Sequence, residues 1–506
     1  MLYKESDIDR SNKNFAVTIK DYLDKNYSDR RISMNFLVGL VGYSDVRIHD
    51  VFKKHYGITP IEYLQKLRLE KAKELITLGV PIGMASYKVG YGSQRTFYRV
   101  FTKYTGMSPG EFKETAMQNY ADVTNVVKNY DTSPIEYARK MCDTVMFEND
   151  PSKLPPCFVD LPQSRYSYVQ GMFLLGMFRV YEALGDVRYI NYIGEWINTV
   201  IDEEGYVNET YEHPRCLNVA GLDKYQPLLL LMKYNEMFEN GRCTKAVSIL
   251  IDMLKKHKTT KMGIYTQEGT ERSVGVFLNG VYMLCPTISL YAKVNDLPKL
   301  FGVAVNQIIA INANVRDKET GLLYHAYDET MSEEWSDPET GLSDSVWGRG
   351  MGYFIMGILD TLDYLPEKHN KRKVLVDIVK NALIAIVPYQ DKTGKWYQLL
   401  EKNTLEGNWC ENSCSCMFAY SFAKAINVGI LGIEYSRVAL SAYSAVIDSV
   451  VYDENGCEMY LSDICEGMMA GVPGYYLEAN RKINDLHGIG AFVNMCCEVE
   501  KLLENL

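Results

Sequence analysis

The sequence predicts an all-α chain in two parts, an N-terminal tandem helix-turn-helix domain followed by an α/α toroid. Three observations predict it: a duplicated basic head, a long series of amphipathic helical runs behind it, and the length. At 506 residues the chain exceeds what one ordinary core fills, so two domains are expected: 1–116, a linker over 117–135, and 136–506.

Charge separates the two parts. Residues 1–115 carry 19 Lys and Arg against 13 Asp and Glu, about +6, whereas the whole chain stands at −10. A basic head on an acidic body suggests different partners for each, because phosphate backbones attract the first and are repelled by the second. No apolar run is long enough to span a bilayer, and the opening MLYKESDIDR is no signal peptide, so no membrane partner is expected. Of the twelve cysteines only Cys414 and Cys416, and Cys496 and Cys497, lie close together. No CxxC pair recurs at zinc-ligand spacing, so reduced thiols in a cytoplasm, with no metal and no cofactor, are expected.

Within the head, ISMNFLVGLVGYSDVRIHDVFKKHYGITPIEYL and PIGMASYKVGYGSQRTFYRVFTKYTGMSPGEFK share one layout. Each is an apolar helix, a Gly-Tyr turn at Gly42 or Gly90, a second helix ending in Val-Phe, then Tyr, Gly and Pro. Between them YLQKLRLEKAKELI has apolar residues at helical spacing and reads as a connector. In the second copy Gln94, Arg95, Thr96 and Arg99 share a face opposite Phe97, Val100 and Phe101. Arg and Gln can make bidentate contacts to guanine and adenine edges in a major groove. From about Ile19 to Lys113 this tandem resembles the AraC/XylS family of transcription regulators. The resemblance implies duplex DNA as partner. It implies base-reading positions at Val46, His49 and Asp50 in the first copy, with Arg47 better placed for phosphate.

Behind the Ser133-Pro134 break, runs such as GMFLLGMFRVYEAL, YQPLLLLMKYNEMF, MGYFIMGILDTLDYL and CMFAYSFAKAINVGIL recur to the C-terminus. Short turns alternate with long polar loops between them, the layout of stacked helical hairpins. Trp335, Trp347, Trp396 and Trp409 lie in or beside those loops, together with His325, Arg349 and Glu411. Flat aromatic faces with an arginine suit a hydroxyl-rich, anionic ligand.

YEALGDVRYINYIGEWINTVIDEEGYV, TGLLYHAYDE, WSDPETGLSDSVWGRGMGY, GKWYQ and GNWCENSCSCMFAYSFAKAINVGIL resemble the unsaturated rhamnogalacturonyl hydrolases, glycoside hydrolase family 105. Unsaturated glucuronyl hydrolases are more distantly similar. The resemblance covers about Arg165 to Leu503 and implies an (α/α)6 barrel acting on sugars with a terminal 4,5-unsaturated uronic acid. In such enzymes an acid protonates the vinyl ether and water adds, so one proton donor is central. Carried over residue by residue, Asp223 matches a family carboxylate, His325 the pocket histidine, and Trp347 with Arg349 the WGRG loop. The expected substrate-binding residues are Tyr166, Tyr168, Asp328, Trp335, Trp347, Arg349, Trp396 and Glu411. The family's acid falls in WLDG, and this chain has FLNG, so Asn279 occupies the acid position. Thr266 and Gln267 likewise stand where the family favours His-Lys, and Phe277 where it favours Trp. Three readings remain open: a regulator whose barrel binds unsaturated uronyl oligosaccharides, a bifunctional regulator and hydrolase in which Asp223 or a coordinated water takes over the proton transfer, and a barrel kept as a scaffold for a homodimer.

Overall fold

A computed structural model describes residues 5–77, 80–118, 127, 130–154, 165–208, 221–267 and 275–506. The chain divides into two compact units, Met1–Asp122 and Val123–Leu506. Most of the expected linker lies outside the described residues. In the second unit the helix Pro134–Glu148 begins inside the span read as linker, because Ser133 caps it and Pro134 takes its first position.

The first unit holds α1 (Glu5–Asn26), α2 (Met34–Val41), α3 (Asp45–Tyr56), α4 (Pro60–Thr77), α5 (Ile82–Lys88), α6 (Gln94–Thr105) and α7 (Pro109–Gln118). Its duplication extends to the helix ends. Gly57 and Gly106 close α3 and α6 at φ +75° and +77°, donating to the carbonyls of Lys53 and Thr102. Reciprocal bonds between Thr59 and Glu62 open α4, and Ser108 and Glu111 repeat them before α7. Ile48 and Phe52 in one copy, Phe97 and Phe101 in the other, are fully buried. Arg68 on α4 ties the halves together, donating to the carbonyls of Tyr27 and Asp29 at 2.6 and 2.8 Å. Gly90 must be glycine here: its φ is +91°, and a Cβ would stand 2.7 Å from the Ser28 carbonyl oxygen.

The second unit alternates outer and inner helices. Among its described residues the outer ones are α8 (Pro134–Glu148), α10 (Val187–Val200), α12 (Gly241–Leu254), α14 (Phe301–Val315), α16 (Arg372–Ile386) and α18 (Ser436–Ile447). The inner ones are α9 (Tyr168–Leu184), α11 (Leu228–Phe238), α13 (Gly280–Val294), α15 (Gly348–Leu362), α17 (Asn412–Asn427) and α20 (Leu486–Asn505), with a short α19 (Pro473–Leu477) before the last. Each inner helix packs on the next and α20 returns to α9, so the ring closes as an (α/α)6 barrel. Inner helices are apolar nearly all round, α15 being buried along its whole length, whereas outer ones bury a single stripe.

Packing also fixes direction. Gly348 faces Cys414 and Gly352 faces Met417, while Gly176 and Gly490 meet α20 and α9 in the same rising order, so these inner neighbours run parallel. Gly357 lets α15 approach the α13 backbone, where a Cβ would lie 2.7 Å from the Tyr282 nitrogen. The all-α expectation omitted three small antiparallel pairs. One of them, β1 (Gly275–Phe277) on β2 (Ala326–Asp328), shapes the site.

A buried polar network joins four inner helices. Lys424 donates to Asp360 and Asp363 at 2.6 Å each, Tyr420 donates to Asp360 at 2.6 Å, and Arg179 donates to Asn494 at 2.7 Å and lies 3.7 Å from Asp360. Burial alone would raise the Asp360 carboxyl, yet Lys424 and Arg179 hold it below the usual carboxylate range. Removing one partner of a buried pair strands the other charge. Asp360→Asn is therefore expected to cost about 3–5 kcal/mol in denaturant unfolding, and Asp363→Asn, at the half-exposed end, about 1 kcal/mol or less.

Candidate functional site

On the first unit the expected reading residues reach solvent. Val46, Arg47 and Asp50 on α3, and Gln94, Arg95, Thr96 and Arg99 on α6, are exposed, with His49 half-buried. The Arg47 guanidinium lies 4.3 Å over the Tyr43 ring, on the flank of α3. Lys53 and Lys54 extend the exposed surface in the last turn.

On the second unit the candidate residues gather where the inner helices begin. β1 and β2 pair Phe277 with Ala326, and the Leu278 amide donates to the His325 carbonyl at 3.0 Å. Two positions 46 residues apart in sequence, Asn279 and His325, are thereby set beside one another. Asn279 caps α13 through its backbone, and its Oδ1 is buried without a hydrogen-bond partner among the described residues. Gln267 donates to the buried Asp223 carboxylate. The Gln267 Oε1 lies 3.7 Å from where a Gly280 Cβ would stand, beside Asn279, and it too lacks a partner among the described residues. This loop is firmly held: Gln307 bonds both backbone groups of Tyr265, and His257 Nε2 donates to the Thr266 carbonyl at 2.9 Å.

His325 is fully buried against Trp347, ring centroids 4.6 Å apart, with Phe277 at 5.5 Å and the half-buried Trp335 edge-on to Phe277. Its tautomer follows from its neighbours. The Gly471 amide donates to the Tyr476 hydroxyl oxygen at 3.2 Å, leaving the hydroxyl proton for His325 Nδ1 at 2.7 Å. Nε2 then carries the ring proton, faces Gly350, and has no partner among the described residues. Burial, with Arg349 nearby, lowers this imidazole to about 3, so it is a neutral donor at physiological pH.

Four of the expected substrate-binding residues hydrogen-bond to the scaffold. Arg349 is buried, and its two terminal nitrogens donate to Ser413 Oγ and to the carbonyls of Cys465 and Glu466, while its Nε has no partner among the described residues. Glu411 caps α17: its oxygens accept from the Ser413, Cys414 and Cys465 amides and the Ser413 hydroxyl. Asp328 accepts from Thr330, Ser332 and Glu333, and those bonds outweigh its burial and bring it to about 2. Trp396 is fully buried against Phe418 and donates to the Ile386 carbonyl. Tyr166 lies one layer back, stacked on Trp196 with its hydroxyl on the Lys224 carbonyl.

Tyr168 lies at the start of α9, edge-on to Tyr353 and to His487. His487, with Asp485 2.6 Å from its Nδ1, and Tyr476 escaped sequence reasoning. An Asp-x-His at a helix start is a capping signal that could have found the first pair. Tyr476 lies in a helix too short for periodicity.

A histidine whose proton affinity drops on folding destabilises the fold as pH falls, because only the unfolded chain takes up the proton. For His325 that loss begins near pH 6.5 and runs toward 3, at up to about 1.4 kcal/mol per pH unit, and His487, also lowered by burial, acts in the same direction. Asp328 and Asp485, both about 2, contribute stability above about pH 4 and lose it only toward 2. Melting temperature is expected to fall between pH 7 and 5, and less steeply in His325→Gln. Identical profiles would show that this histidine is not buried in its neutral form.

Known proteins share both halves. The family model Glycosyl Hydrolase Family 88 matches residues 137–503, and a helix-turn-helix domain model matches 37–115. Protein Atu3128 of Agrobacterium fabrum is 30% identical over 226 residues, 42% of this chain and 95% of that one. The bifunctional transcriptional activator/DNA repair enzyme AdaA of Bacillus subtilis is 34% identical over 97 residues, 19% of this chain and 46% of that one. The structure of a glycoside hydrolase from family 105 of C. acetobutylicum aligns with a TM-score of 0.66 at 29% identity, covering 73% of this chain and 99% of that one. An AraC-type DNA-binding domain joined to a glycoside hydrolase barrel makes this a carbohydrate-related regulator. The chain belongs to Glycosyl Hydrolase Family 88 and carries an AraC-type helix-turn-helix domain ahead of its barrel.

Proposed function

We propose that this chain is a transcription regulator of pectin or rhamnogalacturonan use whose barrel is a receptor for 4,5-unsaturated uronyl oligosaccharides. Asn279 carries the reading. It stands at the position that resembles the hydrolases' acid, at the start of α13 beside the His325 strand. A positioned general acid contributes roughly 10² to 10⁴ in rate, and a carboxamide cannot protonate carbon at neutral pH. Affinity suffers less, since Asn nearly keeps the shape of Asp and still hydrogen-bonds. The parallel inner helices direct their N-termini to one end of the barrel, which favours an anionic ligand. Trp347 and Trp335 offer aromatic faces and His325 an N–H donor, the groups a hydroxylated ring uses.

Incubation with an unsaturated galacturonyl-rhamnose disaccharide separates binding from turnover. For the natural chain the expected result is protection against melting with no loss of the double-bond absorbance. Asn279→Asp is expected to bind comparably and to consume the double bond. If the natural chain consumes it as fast as the variant, the receptor reading fails.

Regulation requires more than occupancy, because a ligand shifts DNA binding only by its differential affinity for two states. At saturating disaccharide, operator affinity is expected to change by roughly 5 to 150-fold. Titrations of operator DNA with and without the sugar measure this, and identical curves would leave the barrel without a sensing role.

A further inference from the structure

The two outward helices of the first unit are copies in backbone and burial but not in surface chemistry. An offset of 49 residues pairs the caps Ser44 and Ser93, the buried Ile48 and Phe97, the buried Phe52 and Phe101, and the closing Gly57 and Gly106. In that same register Val46 pairs with Arg95 and Asp50 with Arg99. All four are exposed, and within each helix the two stand four residues apart on one face. One copy therefore presents two guanidinium donors where the other presents an apolar group and an acceptor. A lone exposed valine is ordinary on a surface. Val46 differs because it is 70% exposed at the position its twin fills with arginine. Arg47 does not replace that arginine, since its guanidinium is drawn over Tyr43.

We propose that the two helices read unlike base pairs, α6 reading guanines through Arg95 and Arg99, and α3 reading a thymine methyl through Val46 and a neighbouring cytosine amine through Asp50. The proposal rests on the reading of this unit as a binder of duplex DNA. Valine can distinguish bases in a major groove only by apolar contact, and the thymine C5-methyl is the apolar group there. A carboxylate only accepts. Guanine offers it two acceptors, and adenine sets an acceptor beside its amine, whereas cytosine offers a donor alone. The operator is then a pair of dissimilar boxes, although the protein that reads them is a repeat.

The test uses the full chain. Its preferred duplex is first obtained by selection from random DNA, and affinity is then measured with each thymine in turn replaced by deoxyuridine, which deletes the methyl alone. In parallel each guanine is replaced by 7-deazaguanine, which deletes the N7 acceptor alone. One thymine is expected where deoxyuridine weakens binding about three- to fivefold, an effect absent in Val46→Ala. In the other box at least one guanine is expected where the loss is about tenfold and absent in Arg95→Ala. Both substitutions lie at exposed positions, and unchanged melting confirms that each variant folds. Specific binding with no methyl-sensitive thymine, or with one still sensitive in Val46→Ala, overturns the proposal. Absence of any sequence preference overturns the DNA-binding reading and this proposal with it.

Discussion

The barrel depends on one buried constraint, the charged network of Arg179, Asp360, Tyr420, Lys424 and Asn494 among α9, α15, α17 and α20. Ion pairs in a core are weak sources of net stability, because desolvation consumes most of the Coulombic attraction. Their consequence here is geometric. Only one rotation and one height of each of these four helices gives Lys424 two carboxylates and Arg179 both Asn494 and Asp360. The network lies 8 to 12 residues into its helices, roughly 12 to 18 Å below their N-terminal ends. Fixing the helices there fixes where their first turns stand, and those first turns carry Tyr168, Arg349 and His487.

A second layer of constraint sits between the network and the mouth. Glu411 binds the start of α17 and the Cys465 amide at once, while Arg349 holds the carbonyls of Cys465 and Glu466. Together they fasten the segment ahead of Tyr476, which in turn orients His325. The buried His325 imidazole is thus positioned by residues that are themselves hydrogen-bonded to the scaffold.

This layering explains what the sequence could reveal. The tandem head was legible because its duplication repeats one layout of helix, Gly-Tyr turn and second helix, and the barrel because amphipathic helical runs recur with short turns and long polar loops alternating between them. The site was only partly legible. Tyr168, His325, Trp347 and Asn279 lie at the helix-start end, whereas Arg349, Glu411, Asp328 and Trp396 hydrogen-bond to the scaffold, which the sequence did not signal. A buried polar residue in a loop looks the same in sequence whether it satisfies a ligand or the backbone, and the choice is made by amides and carbonyls that carry no sequence signal. Glu411 was harder still, since glutamate is an uncommon N-cap.

Chemistry at the mouth is consistent across substitutions. Where the resembled hydrolases favour lysine and an aspartic acid, Gln267 and Asn279 stand, so one positive and one negative charge are absent together and the net charge of the wall is unchanged. Asp223 remains, bonded by Gln267. A hydrolase needs a group that gives up and regains a proton in every turnover, whereas a receptor needs a lining whose protonation stays fixed while ligand comes and goes. Gln267 and Asn279 do not titrate, and His325, at about 3, is already neutral far below physiological pH. These three groups keep the same hydrogen-bonding character throughout the range in which a cell works. For the receptor proposed above, ligand concentration rather than pH would then set occupancy, the condition under which binding at the barrel could carry information to DNA.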